Sequence, residues 1–70
     1  MSKQEFENLC AVNHIKCSFL HRLAGGVVTN YVRLEWGRFA VSRDYSLGVP
    51  GDIDRASETA LADILRHIES

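Results

Sequence analysis

Cys10, His14, Cys17 and His21 put four side chains of zinc-ligand type within one short stretch, in the pattern C-x3-H-x2-C-x3-H. Thiolate sulfur and imidazole nitrogen hold zinc at about 2.0–2.3 Å, so all four would have to converge on one point. Cys10 and His14 can share a helix face at i, i+4. Cys17 and His21 fall in a stretch of strand-like alternation, where four extended residues separate them by roughly 13 Å. Two ligands that far apart cannot hold one ion, and the gap between the two pairs matches no common zinc spacing. The pattern is read instead as two small cysteines used for packing, with no metal and no other cofactor expected.

Other groupings carry less chemistry. Ser18, His21 and Asp44 supply the residue types of a hydrolytic triad without a nucleophile elbow around the serine. Asp52-Ile53-Asp54 stands before an apolar helical run, where acids cap the helix and meet its dipole. Gly48-Val49-Pro50-Gly51 lacks the lysine of a phosphate loop, and acids follow it where phosphate would sit. A chain of 70 residues also has little room for a concave active site beside its core. A non-enzyme is expected.

The elements that must position these residues follow from periodicity. Ser2-x-x-Glu5 fits a capping box, and Phe6, Leu9 and Cys10 continue at helical spacing, giving a short helix over about residues 3–13. From Ile15 the period becomes two: Ile15, Cys17, Phe19 and His21 alternate with Lys16, Ser18, Leu20 and Arg22. Ala24-Gly25-Gly26 supplies a turn, and Val27 to Trp36 is rich in β-branched and aromatic residues. A Trp36-Gly37 loop would set Glu35 opposite Arg38, Leu34 opposite Phe39 and Val32 opposite Val41 in a third strand ending at Arg43; a bulged turn that shifts this register is the alternative. Asp44 to Gly51 reads as a loop. Asp52 or Asp54 then caps a second helix, whose apolar stripe runs through Ile53, Ala56, Ala60, Leu61, Ile64, Leu65 and Ile68. The expected fold is α+β, in the order α-β-β-β-α, with a three-stranded antiparallel sheet and two helices packed on one face.

Composition agrees with one domain over residues 1–70. The chain is 46% hydrophobic and 24% charged, within the range of globular proteins. No apolar run approaches the ~18–20 residues of a membrane span, and Met1-Ser2-Lys3-Gln4-Glu5 leads into no signal-peptide core. Two cysteines make no disulfide framework, so a cytoplasmic protein with reduced thiols is expected. The net charge of −1 is unevenly spread. Residues 11–45 hold five basic side chains against two acidic ones, a net +3, and residues 46–70 hold two against five, a net −3.

The element order resembles that of the double-stranded-RNA-binding domain, which shares this topology and length. That family places lysines at the start of its second helix, where this chain has Asp52 and Asp54. Its loop between the first two strands carries a histidine, where this chain has Ala24-Gly25-Gly26. The resemblance therefore implies the topology and not the RNA-binding function.

With both helices over Ile15, Phe19, Val32, Leu34, Phe39 and Val41, the other sheet face is left to polar and basic residues. Lys16, Arg22, Tyr31, Arg33, Arg38 and Arg43 are the expected partner-binding residues, since arginine and tyrosine join apolar area to directional hydrogen bonds. The functional expectation is a small non-catalytic protein-interaction module, an inhibitor, adaptor or regulator, whose partner presents an acidic surface. Phage-type inhibitors of host defence complexes belong to this size class. The alternative is a nucleic-acid-binding module that uses the same basic face, and a third expectation is a homodimer joined through a sheet edge or the second helix.

Overall fold

In the computed structural model, which describes residues 1–70, helix α1 (Lys3–Val12) begins at the capping box. The Glu5 amide donates to Ser2 Oγ at 3.1 Å, and the Ser2 amide donates to Glu5 Oε1 at 3.3 Å. Two free donors of the first turn are thereby satisfied. The helix ends at Asn13, and His14 takes a left-handed conformation at φ 58°. The His14 amide donates to Ala11 O at 3.2 Å and the Ile15 amide to Cys10 O at 2.8 Å. These are the two bonds of a Schellman stop, with histidine in the place glycine usually takes. Ile15 and Cys10 both enter the core, the apolar contact that accompanies this motif. The chain thus leaves the helix already committed to the sheet.

Strands β1 (Lys16–Ala24), β2 (Val27–Trp36) and β3 (Phe39–Tyr45) form one antiparallel sheet in the order β1-β2-β3. Ala24 pairs with Val27, so the first turn is Gly25-Gly26 alone. Both glycines have positive φ, at 57° and 78°, as a type I′ turn demands. The second hairpin differs from the register expected from sequence. Trp36 pairs with Phe39, Leu34 with Val41 and Val32 with Arg43, so the loop is Gly37-Arg38. Gly37, at φ 60°, takes the first loop position, the place for glycine in a type II′ turn, and Trp36 stays in the strand. The slip is two residues, so the alternation of inward and outward positions along β3 is the one expected from sequence. β3 also runs on to Tyr45, which brings Asp44 out of the loop and onto the sheet.

Helix α2 (Asp52–Glu69) is not capped by an aspartate side chain. Gly51, at φ 78°, is its N-cap, and Asp52 and Asp54 lie within the first turn. The Asp52 carboxylate faces back along the chain, accepting from the Ser46 amide at 2.7 Å and from Arg55 Nε at 2.6 Å. Arg55 also donates to the Asp44 carbonyl at 3.2 Å. Asp52 therefore ties the β3–α2 connection together, while its charge still suits the helix N-terminus.

Both helices pack on one face of the sheet. The core joins Phe6 and Cys10 of α1, Ile15, Val32, Leu34 and Val41 around and within the sheet, and Ala56, Ala60, Leu61 and Ile64 of α2. Ala56 and Ala60 are wholly buried, and their small side chains let α2 lie close against β2 and β3. Ser57 is the one buried polar residue, its hydroxyl donating to Ile53 O at 2.8 Å. Phe19 departs from expectation: it stands on the helix-covered face but is 52% exposed. α1 covers only the start of β1 and α2 lies over β2 and β3, so neither helix reaches the far half of the first hairpin. No helix is long and apolar enough to cross a membrane.

Candidate interaction surface

The pairing registers define the open face residue by residue. Lys16, Ser18, Leu20 and Arg22 of β1 lie beside Glu35, Arg33, Tyr31 and Thr29 of β2, which lie in turn beside Ala40, Ser42 and Asp44 of β3. Alternation puts these side chains on the face opposite the core. Leu20 sits directly across from Tyr31, giving an apolar centre flanked by charges.

Four of the six residues expected from sequence share this face: Lys16, Arg22, Tyr31 and Arg33. The Arg22 guanidinium lies over the Tyr31 ring, 5.3 Å from its centroid, and 3.9 Å from the Asp44 carboxylate. Arg33 Nε donates to Glu35 Oε1 at 2.9 Å. These contacts give each of the two long side chains a partner within the face. As exposed ion pairs they add little to stability. Lys16 and Arg38 have no carboxylate within ion-pairing distance.

The other two expected residues lie elsewhere. Arg38 occupies the β2–β3 turn, at the rim of the face rather than on it. It borders an open hollow where His67 of α2 stacks on Phe39, with centroids 3.7 Å apart and planes 5° from parallel, and meets Trp36 edge-on at 6.0 Å. Nothing in the local sequence marks His67 for this role, because its partners come from a hairpin 28 or more positions away. Arg43 is not on the open face at all. It sits on the helix-covered side beside Val32, and its guanidinium bonds to the Asp63 carboxylate of α2, which also takes Arg66. Strand parity explains this, since Arg43 shares a face with Val41 and Tyr45. The parity was readable from sequence, since the expected strand already ran to Arg43 and set it on the side of Phe39 and Val41.

Charge on the open face is therefore close to balance. Lys16, Arg22 and Arg33 stand against Glu35 and Asp44, leaving a net +1. Asp44, expected in a loop, lies on β3 and supplies the second carboxylate.

The cysteine and histidine cluster is divided among elements. Cys10 is buried in α1, His14 forms the helix stop, and Cys17 and His21 lie on one strand. No three histidine, cysteine or acidic side chains converge as metal ligands would. Both cysteines are free thiols lining a groove of about 360 Å³ between α1 and β1, with Phe6, Ala11, Ile15 and Phe19. Burial pushes the Cys10 thiol up, and pushes Cys17 up to about 11, with Cys10 and Glu7 adding to the effect. Neither is an activated nucleophile, since the thiolate is the reactive form.

No family model, curated protein or solved structure matches this chain.

Proposed function

We propose that this chain is a small protein-interaction module acting by occupancy, as an inhibitor, adaptor or regulator, through the open face of its sheet. The observation that carries this reading is the Leu20–Tyr31 centre with Arg22 and Arg33 braced beside it. An apolar and aromatic centre ringed by arginines suits a protein surface that offers carboxylates around an apolar contact. Arg22 and Arg33 can each exchange an internal carboxylate for one on the partner. Lys16 and Arg38, which have none, add attraction at the rim.

Glu35 and Asp44 weigh against nucleic acid as the partner. Phosphate recognition draws its affinity from uncompensated positive charge, which a face of net +1 does not offer; a protein partner can set apolar or basic groups opposite Glu35 and Asp44, as a continuous phosphate backbone cannot.

The test has two arms. Affinity capture from the native host identifies a partner, which is then purified and titrated into the purified chain. Fluorescence anisotropy at low salt measures binding to RNA, single-stranded DNA and duplex DNA. The reading expects saturable binding of the purified partner and no nucleic-acid binding. Tight nucleic-acid binding with a steep salt dependence would overturn it.

A further inference from the structure

Strand β1 is an edge strand: it pairs with β2 on one side and with nothing on the other. Natural edges are guarded by charged side chains, prolines or bulges. This edge strand carries only Lys16 at its start and Arg22 near its far end as charged guards, it has no proline, and its register with β2 runs unbroken from Lys16 to Ala24. It also presents apolar side chains. Phe19 is 52%, Leu20 39% and Leu23 71% exposed, and Val27 and Val28 beyond the turn are 63% and 57% exposed.

We propose that two copies of this chain form a two-fold dimer, their β1 edges pairing antiparallel about Leu20 into one six-stranded sheet. The proposal stands apart from the reading of the open face, which holds for monomer or dimer.

Register selects the centre. A two-residue hairpin is closed by a pair that exchanges both hydrogen bonds, here Ala24 and Val27. Bonded pairs alternate from there, so Cys17, Phe19, His21 and Leu23 turn their N–H and C=O groups towards the free edge. Pairing about Leu20 sets Cys17 against Leu23 of the second copy and Phe19 against His21, which satisfies each of these groups. The same register sets Lys16 against Ala24 and Ser18 against Arg22, so no like charges meet. Pairing about Phe19 would oppose Lys16 to Arg22, an unfavourable contact. Pairing about His21 would leave Cys17 opposite the Gly25 turn and shorten the ladder.

The second observation is independent of register. The hairpin tip is apolar yet uncovered by its own helices, while the groove between α1 and β1 is apolar yet unfilled by its own side chains. Pairing about Leu20 brings Leu23 of each copy to Cys17 of the other, at the floor of that groove. Knob meets hole twice, as a two-fold interface requires. On the opposite face, Leu20 meets its own copy between the two Tyr31 rings, and the two open faces become one continuous surface.

Analytical ultracentrifugation of the full chain across concentration tests this directly. The expected result is reversible growth from 7.9 kDa to twice that mass. Leu20→Lys sets two ammonium groups against each other at the axis and should weaken association at least about tenfold. Leu20 is exposed in the monomer, so the far-UV circular dichroism spectrum should not change. Leu20→Cys should form an intermolecular disulfide under mild oxidation, because the axial residues face each other as a close non-hydrogen-bonded pair. A mass that stays at 7.9 kDa at all concentrations would overturn the proposal, as would a dimer indifferent to Leu20→Lys. A heterologous strand that binds β1 while the chain alone stays monomeric would also overturn it.

Discussion

Cys17 shows how position can silence a reactive group. Removal from water opposes the thiolate, and the thiol is pushed up to about 11 from an ordinary value of 9.0. At pH 8 this lowers its thiolate fraction roughly a hundredfold relative to the unfolded chain. A thiolate of higher pKa is also the stronger nucleophile, so a disulfide reagent at that pH should modify Cys17 about tenfold more slowly in the native protein than in denaturant. Equal rates would contradict the structure. The same linkage sets a pH dependence. Because the folded value is raised, the stability tied to the protonated thiol is complete below pH 9 and is lost as pH rises towards 11. Cys17→Ala should flatten the alkaline side of a melting profile. His14 gives a second prediction at this scale. A side chain at φ 58° is strained in a way glycine is not, and the strain exceeds the extra freedom glycine gains on unfolding. His14→Gly should raise stability by roughly 0.5–1 kcal/mol in urea titrations; a loss would mean that the imidazole holds the stop in place.

At the scale of elements, the sequence was most readable where local chemistry decided the structure. Ser2 and Glu5 form the expected box, and Gly25-Gly26 makes the expected turn. The strand faces also follow from alternation. Prediction slipped where two local signals competed. Gly37 permits loops with it in first or second position, and the choice went to the one that keeps Trp36 against the core. Asp52 is acidic at the right place for a cap, but it was drawn to the Ser46 amide and Arg55, partners invisible before the loop is folded. Exposure of Phe19 was equally hidden, because it depends on where the helices stop rather than on the strand. The displaced Asp52 makes its own prediction. Arg55, foremost, and the Ser46 amide hold its carboxyl below the usual carboxylate range. Since the folded value is lowered, this contribution is present above about pH 4 and is lost as pH falls further. Asp52→Ala, which leaves the Ser46 amide without its acceptor, should reduce acid sensitivity, and amide exchange at Ser46 should quicken even at neutral pH. Unchanged protection at Ser46 would show that the loop is ordered by something else.

Over the whole molecule, the helices and the core occupy one side, and the far half of the first hairpin extends beyond them in a body of 38 × 26 × 17 Å. Two surfaces follow from that asymmetry: a sheet face of nearly balanced charge and a lightly guarded, largely apolar edge. The first was partly readable, since Lys16, Arg22, Tyr31 and Arg33 follow from alternation; the same alternation puts Arg43 on the covered face, and Asp44 joins the open face because β3 runs on to Tyr45. The central claim is that the open face receives an acidic protein surface. Titration of the purified partner into the native chain and into an Arg33→Glu, Arg38→Glu variant tests it most directly. Both positions are exposed and outside the core, so the melting temperature should stay within a few degrees of the native value. The account predicts at least about a tenfold loss of affinity, deepening as salt is lowered and like charges are less screened. Affinity unchanged by both reversals would contradict it.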